Sequence, residues 1–251
     1  LWRPDFRELS PAPFLDPVLD ILTFGNPDLE TAKITNIDLR WEYYFSSDES
    51  LSIALFRKEF DKPIEKLLLP ATGSLLQTLA NAESATNQGI EIDYFQRMGW
   101  ADGWFGDVDM ANWFIAANYS WIDSEIVLDP TRAGVSTNLN RPLEGQSPYV
   151  VNLQLGYSSP EGTHETALSF NMAGERIVQV GIDTQPDVYE QPAPQLDFNW
   201  RWQFANDWST RVRLRNLLDP SIEFQQGDIN IREFKRGREI AISVEWSPKR
   251  D

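Results

Sequence analysis

Residues 34–45 read ITNIDLRWEYYF, and their alternating chemistry decides the fold. From Asn36 onward the odd-numbered positions are apolar or aromatic, while the even-numbered positions are polar or charged apart from Tyr44. A helix would spread these side chains around its circumference, whereas a β-strand points successive side chains to opposite faces. The stretch therefore predicts a strand with one apolar and one polar face. The apolar face meets either a protein core or a lipid bilayer.

The same alternation recurs along the chain and predicts about ten strands, many of them roughly nine to eleven residues long. Strands of soluble domains usually have about five or six residues, whereas a tilted strand needs about nine to eleven to cross the hydrocarbon of a bilayer. Residues 1–9 are expected to be the end of a strand, and residues 74–80 a short helical turn. The main predicted strands are 30–45, 50–61, 88–98, 109–128, 149–157, 168–180, 196–204, 211–215 and 240–246.

The connections between the predicted strands alternate between short polar turns and long loops that contain Pro and Gly. Antiparallel strands that cross a slab one after another place the turns on one side and the loops on the other, as outer-membrane barrels do. A soluble sandwich has no reason to collect its long loops on one side. The predicted fold is therefore an all-β, antiparallel up-and-down transmembrane β-barrel. The alternative is a large soluble β-sandwich with aromatic ligand grooves.

The composition excludes several other classes of protein. The chain of 251 residues has a formal charge of −16, which argues against nucleic acid as a partner, because nucleic acid needs a basic surface. It has no cysteine, so a disulfide framework, a thiolate metal site and a cysteine nucleophile are impossible. No run of 18 apolar residues is present, which excludes a transmembrane helix. The ten Trp, seven Tyr and 14 Phe favour strands and membrane–water boundaries.

No motif in the sequence predicts an enzyme, a metal site or a cofactor. His164 is the only histidine and follows a predicted turn, so it supports no Ser-His-Asp set. The 38 acidic residues contain no pair that stands out as the two carboxylates of a glycosidase. Asp102, Asp107 and Asp109 lie among glycines, but their spacing does not fit an EF-hand calcium loop.

Three sets of residues are candidates for contact with a ligand or with lipid. Arg211, Arg213 and Arg215 share the polar face of one strand, where they could line a path for anionic or polar cargo or pair with acidic neighbours. Aromatic residues in the long loops could stack on a ligand or pack the loops together, and these are Phe14, Phe24, Tyr189 and Phe224. The aromatic residues predicted to face lipid are Trp41, Tyr43, Trp113, Tyr119, Trp121, Trp200, Trp202 and Trp246.

A series of longer motifs stands in a fixed order: RPDFREL (3–9), GNPDLE (25–30), NIDLRWEYYF (36–45), ALFRKEFDKPIE (54–65), NAESATNQGIEIDYFQ (81–96), NRPLEGQSPYVVNLQLGY (140–157) and LRNLLDP (214–220). In content and order this series resembles the C-terminal barrel half of TonB-dependent outer-membrane receptors. The resemblance implies a barrel of about 22 strands around a plugged lumen. Residues 1–251 would then be the C-terminal portion of that barrel, with the plug domain and the N-terminal strands not present.

The resemblance also implies a function. The expected protein is a multi-pass β-barrel receptor in the outer membrane of a Gram-negative bacterium. It would bind a ferric siderophore, a cobalamin or an oligosaccharide at its extracellular loops and take this small-molecule nutrient across with energy from the inner membrane. Its partners would be outer-membrane lipid and the TonB energy-transducing complex, the latter through the missing N-terminal region, and the arginines could also face the plug. The alternatives are a soluble carbohydrate-binding β-domain and a passive porin.

Overall fold

The regular structure of the chain is almost entirely β-strand. A computed structural model describes residues 3–16, 21–69, 76–104, 106–130 and 136–247. Within these ranges no helix is long and apolar enough to cross a membrane. The strands in chain order are β1 (Phe14–Asp16), β2 (Ile21–Phe24), β3 (Lys33–Tyr44), β4 (Ser50–Asp61), β5 (Ile64–Leu69), β6 (Leu76–Asn81), β7 (Ser84–Arg97), β8 (Trp113–Val127), β9 (Asn140–Arg141), β10 (Tyr149–Ser158), β11 (His164–Ala173), β12 (Arg176–Gln179), β13 (Val188–Glu190), β14 (Gln195–Ala205), β15 (Trp208–Arg215), β16 (Ile222–Gln226), β17 (Ile229–Phe234) and β18 (Glu239–Trp246).

One antiparallel sheet, which we call the wall, contains ten of the strands within the described residues. Its order is β3-β4-β7-β8-β10-β11-β14-β15-β18, and the two-residue β9 pairs with the end of β8. Each long strand therefore lies beside the next long strand of the sequence, as in an up-and-down barrel. The prediction of an all-β antiparallel barrel wall is confirmed. The barrel does not close within the described residues, because β3 and β18 form the two edges of the wall.

The pairing register places the apolar positions of successive wall strands in common rows. Trp41 lies opposite Ile53, Ile53 opposite Ile92, and Ile92 opposite Tyr119. We call the face that carries these residues the outer face and the opposite one the inner face. Ile37 is 64% exposed on the outer face, and many of its other large apolar residues are also exposed. Soluble monomers rarely expose so large an apolar surface, so the outer face indicates contact with lipid.

The two ends of the wall differ in their connections. At one end, turns at 45–49, 98–112, 159–163 and 206–207 join neighbouring wall strands, and we call this the turn end. At the other end, the connections contain the remaining strands, and we call this the loop end. Strands β1, β2, β6 and β5 form one small sheet there, and β12, β13, β16 and β17 form another. The predicted alternation of turns and long loops is thus present in the structure.

The buried core lies at the loop end rather than in the middle of the wall. Leu67 from the first small sheet packs with Ala85, Ile126 and Leu128 at the ends of wall strands β7 and β8. A second cluster joins Val188, Ile222 and Phe224 within the other small sheet. The small sheets therefore have a core of their own, whereas the wall exposes its apolar side chains outward.

The expected helical turn at 74–80 is wrong. Residues 76–81 form β6, which pairs antiparallel with β5 and parallel with β2, while residues 74 and 75 lie outside the described residues. Asn26 fixes this strand further, because its side-chain amide donates to the backbone oxygen of Leu79 at 2.9 Å. Backbone pairing with distant segments therefore decides the conformation of this short apolar stretch.

Two further predictions near the ends of strands need correction. The segment expected to end a strand at 1–9 contains a helical turn, Phe6–Leu9, and the Glu8 carboxylate accepts the Asp5 backbone N–H at its start. The single strand predicted at 168–180 is divided into β11 and β12. Gly174 lies at the break, where a Cβ atom would come within 2.9 Å of the Tyr149 ring.

Candidate functional site on the inner face of the wall

A row of polar side chains crosses the inner face at one height, and we call it the polar belt. Its centre is Asp93, whose carboxylate accepts from the Ser52 hydroxyl at 3.1 Å and from the Asn118 amide at 2.7 Å. The pairing register of six neighbouring strands aligns the members of the row. From β3 to β11 they are Glu42, Ser52, Asp93, Asn118, Asn152 and Asn171.

Hydrogen bonds and one ion pair join the members of the polar belt. Asn152 donates to Asn118 at 3.1 Å, and Asn171 donates to Asn152 at 2.5 Å. At the other end, Arg40 donates to Glu42 at 2.5 Å and lies 3.7 Å from the Asp93 carboxylate. The belt thus contains its own counter-charges and its own hydrogen-bond partners. Such an arrangement holds the strands in register and leaves little free hydrogen-bonding capacity for a ligand.

Four arginines lie close together on the inner face of β14 and β15, and we call them the arginine stripe. Arg201 is directly opposite Arg211 across the two strands, and its side chain is 3.2 Å from Glu165. Arg215 is 3.5 Å from Glu239. Within the described residues, Arg211 and Arg213 have no hydrogen-bond or ion-pair partner for their side chains. The three predicted arginines therefore share one surface, and Arg201 joins them through a register that the sequence did not reveal.

A groove of about 550 Å³ runs beside the arginine stripe. Phe114 lines the groove, and its ring lies directly over Gly156. A Cβ atom on Gly156 would be 2.1 Å from this ring. Asp197 also lines the groove and accepts the backbone N–H of Asn216 at 2.8 Å. The groove is therefore lined mainly by polar and charged residues, with four arginines against two carboxylates, and it also contacts three aromatic residues, Phe114, Tyr157 and Trp200. It has the size of a small-molecule site.

The predicted loop aromatics lie in two different sheets. Phe14 and Phe24 are in β1 and β2, and the guanidinium of Arg7 covers the Phe14 ring at 3.9 Å. Tyr189 and Phe224 are in the paired strands β13 and β16 of the other small sheet. Phe224 is only 7% exposed because Arg232 and Phe234 cover its ring. The four residues remain candidates for ligand contact, and the rings of Phe14 and Phe224 are already covered by neighbouring side chains.

The residues predicted to face lipid all lie on the outer face by register. Trp200 and Trp202 stack on each other at 5.9 Å, and the His164 ring stacks on both. Trp208 and Trp246 stack at 6.0 Å near the same end of the wall. This concentration at the turn end is typical of an aromatic girdle at a membrane boundary. The predicted set comprises Trp41, Tyr43, Trp113, Tyr119, Trp121, Trp200, Trp202 and Trp246.

At the loop end, a buried ion pair joins two of the sequence motifs, residues 54–65 and residues 140–157. The sequence did not predict this contact. Arg141 lies 3.6 Å from Glu65, and only 2% of the Arg141 side chain is exposed. Burial raises the pKa of the Glu65 carboxyl, and the Arg141 charge offsets part of this shift. Arg141 Nε and Nη2 have no hydrogen-bond acceptor within the described residues. The spacing of 76 positions between the two residues gave no local signal for this contact.

Two of the acidic residues between β7 and β8, Asp102 and Asp109, have structural roles. Asp102 accepts the backbone N–H of Met110 at 2.7 Å, and Asp109 accepts those of Ala111 and the Asn112 side chain. These bonds hold the 3-10 turn Met110–Asn112 and join it to Asp102, which directly follows the 3-10 turn Gly99–Ala101. Among the described residues, no group of three or more His, Asp or Glu side chains could hold a metal ion.

Comparison with known proteins gives a family match. The family model described as TonB dependent receptor-like, beta-barrel matches residues 2–217. The chain is similar in structure to the FrpB iron transporter from Neisseria meningitidis (F3-3 variant), with a TM-score of 0.59 and 11% identity over 90% of this chain and 32% of that chain. No curated protein sequence matches the chain.

Two more solved structures are similar. The siderophore receptor PirA from Acinetobacter baumannii has a TM-score of 0.59 and 16% identity over 90% of this chain and 33% of that chain. The closed form of the ferric-catecholate import receptor Fiu from K12 E. coli has a TM-score of 0.60 and 14% identity over 87% and 28%. At these identities the likeness concerns the fold alone. The chain spans about a third of the length of these structures.

Proposed function

Because the chain belongs to the TonB-dependent receptor β-barrel family, we propose that it forms part of an outer-membrane receptor that takes up a scarce small-molecule nutrient. Members of this family are transporters and not enzymes. The observation that best supports the proposal is the division of the wall into an apolar outer face and a polar inner face. A wall of this kind separates lipid from an aqueous lumen.

We also propose that strands outside residues 1–251 complete the barrel. Both edges of the wall, β3 and β18, present backbone N–H and C=O groups, and lipid offers these groups no hydrogen-bond partner. Closure by further strands would satisfy them. A plug domain in the lumen and contact with the TonB complex would then supply the energy coupling that the family uses.

Three cargo classes fit this function: a ferric siderophore, a cobalamin or an oligosaccharide. The names of the structural neighbours mention iron, siderophores and ferric catecholates, so a ferric chelate is the first cargo to test. The extracellular capture surface would be the loop end, where both small sheets stand. The inner face of β14 and β15 would be the path of the cargo.

The experiment is uptake of radiolabelled iron chelates by cells that produce the full-length protein. We expect accumulation that disappears in an otherwise identical strain without TonB. Equal accumulation in both strains would indicate a passive porin instead. A full-length protein that stays soluble without detergent, and migrates identically on gels before and after boiling, would indicate a soluble carbohydrate-binding domain.

A further inference from the structure

Resting on the proposed uptake function, we infer that the arginine stripe is a binding track for a multiply charged anion. The cargo is then an anionic chelate rather than a neutral chelate or sugar.

The charge balance of the stripe is the first argument. Arg201 and Arg211 are directly opposite each other on paired strands, and like charges in that position destabilise a sheet. Glu165 balances Arg201, but Arg211 and Arg213 have no counter-ion within the described residues. The chain carries a net charge of −16, and Glu165 and Asp197 line the same groove, yet among the described residues no carboxylate forms an ion pair with these two guanidinium groups. A bound anion would supply the missing charge.

The course of the stripe is the second argument. Arg211 is the fourth of the eight residues of β15, and Arg215 is the last residue of that strand at the loop end. Alternate residues of a strand are about 6.8 Å apart, so the three arginines of β15 form successive steps from the loop end to the middle of the strand. A track in this direction fits a cargo that moves from the extracellular side to the periplasm.

The chemistry of the groups is the third argument. A guanidinium offers several N–H donors in one plane and binds carboxylate or catecholate oxygens in pairs. A neutral cargo would desolvate the arginines on contact without balancing their charge, which costs free energy. The groove beside the stripe, at about 550 Å³, has room for such an anion. The polar belt, in contrast, has few free donors because its amides bond to each other.

The test uses cells that produce the full-length protein and two iron chelates of similar size. One is a trianionic tris-catecholate chelate of Fe³⁺, and the other is a neutral tris-hydroxamate chelate of Fe³⁺. The variant is Arg211→Gln with Arg213→Gln. The matched control is Lys58→Gln, which removes an inner-face cation far along the wall on β4, where Lys58 lies over the Phe56 ring. Boiled and unboiled gel samples check that each barrel is folded.

We expect TonB-dependent uptake of the trianionic chelate to fall at least about tenfold in the double variant and to stay unchanged in the control. Uptake of the neutral chelate by the parent protein should be much lower throughout. Unchanged uptake of the trianionic chelate in the double variant would overturn the track while leaving the uptake function intact. Preferred uptake of the neutral chelate would overturn the charge selection.

Two other outcomes also decide the matter. If the double variant loses the fast-migrating folded band, the arginines hold another segment of the polypeptide, such as an acidic surface of a plug, and the inference fails. If the parent protein accumulates neither chelate, and an oligosaccharide or cobalamin is taken up with TonB, the cargo is not an anionic chelate. Absence of any TonB-dependent uptake would refute the proposed function itself.

Discussion

The polar belt and the arginine stripe occupy the same inner face but differ in how their charges are balanced. In the belt, Asp93 has Arg40, Ser52 and Asn118 around it, and the chain of amides continues to Asn171. In the stripe, two of the four guanidinium groups have no partner within the described residues. The polar belt therefore stabilises the wall itself, whereas the arginine stripe is available to a ligand.

A third charged site, at the loop end, contains an ion pair that is almost completely buried. Arg141 is almost wholly buried, and Glu65 is its counter-ion at 3.6 Å. A buried charge without a partner is far more costly than an exposed one. The contribution of each cation to stability should therefore fall from Arg141, through the belt, to the stripe. Substitutions at these three places test this order.

Arg141→Met should cause the largest loss. The variant keeps an unbranched apolar stem but removes the guanidinium, which leaves the buried Glu65 carboxylate without a counter-ion and typically costs about 3–5 kcal/mol. The measurement is the temperature at which the folded, fast-migrating band disappears on gels. The double variant Arg141→Met with Glu65→Leu should recover most of the loss, because no buried charge remains. An equally unstable double variant would show that the packing of Arg141, and not its charge, matters.

The same variant should change the dependence of stability on pH. Burial raises the pKa of Glu65 above its ordinary value of 4.5, so the folded state binds more protons than the unfolded state just above that pH. Stability from this group is present at low pH and is lost as the pH rises from 4.5 through the raised folded-state pKa. Without Arg141 that pKa rises further, so the loss in Arg141→Met should grow toward alkaline pH. A loss that is constant with pH would contradict this account.

Trp41→Arg tests which face of the wall meets lipid and which face meets the lumen. Trp41 is on the outer face, one residue from Arg40 in the belt region. An arginine that faces lipid near the middle of the bilayer should cost roughly 2–4 kcal/mol and prevent membrane assembly. Asp38→Asn, on the inner face of the same strand, should be mild. Equal amounts of folded barrel for both variants in outer-membrane fractions would contradict the assigned faces.

The wall could be predicted from the sequence because alternation is a local signal. The strand predicted at 50–61 is β4, Ser50–Asp61, and the opening stretch is β3. The small sheets were not predicted, because strands of three to six residues such as β13 and β6 depend on distant partners. Alternation also placed the three arginines of β15 on one face. It did not reveal their neighbour Arg201 or their missing counter-ions, since both follow from the register between strands.

The polar belt could not be predicted from the sequence either, because it also depends on the register between strands. Asn118, Asn152 and Asn171 are ordinary polar positions, each in its own strand, and only the register brings them to one height.

Asp93→Ala should remove the acceptor at the centre of the polar belt and lower stability by about 1–2 kcal/mol, since the hydrogen bonds of Asp93 involve a charged group but remain partly exposed. Glu91→Ala is the control, because Glu91 lies two residues away on the same face. It has no hydrogen bond or ion pair in the described part of the chain, so its loss should be negligible.

Arg211→Gln should have the smallest effect and the opposite sign. The substitution removes one member of the like-charged pair with Arg201, so stability should rise by about 0.3 kcal/mol at low ionic strength. Salt screens exposed charges, and the gain should therefore shrink in concentrated NaCl. Arg215→Gln is the matched comparison on the same strand, because it removes the ion pair with Glu239 and should lower stability slightly. If both variants are destabilised alike, Arg211 already has a counter-ion in the whole protein, and the difference between belt and stripe disappears.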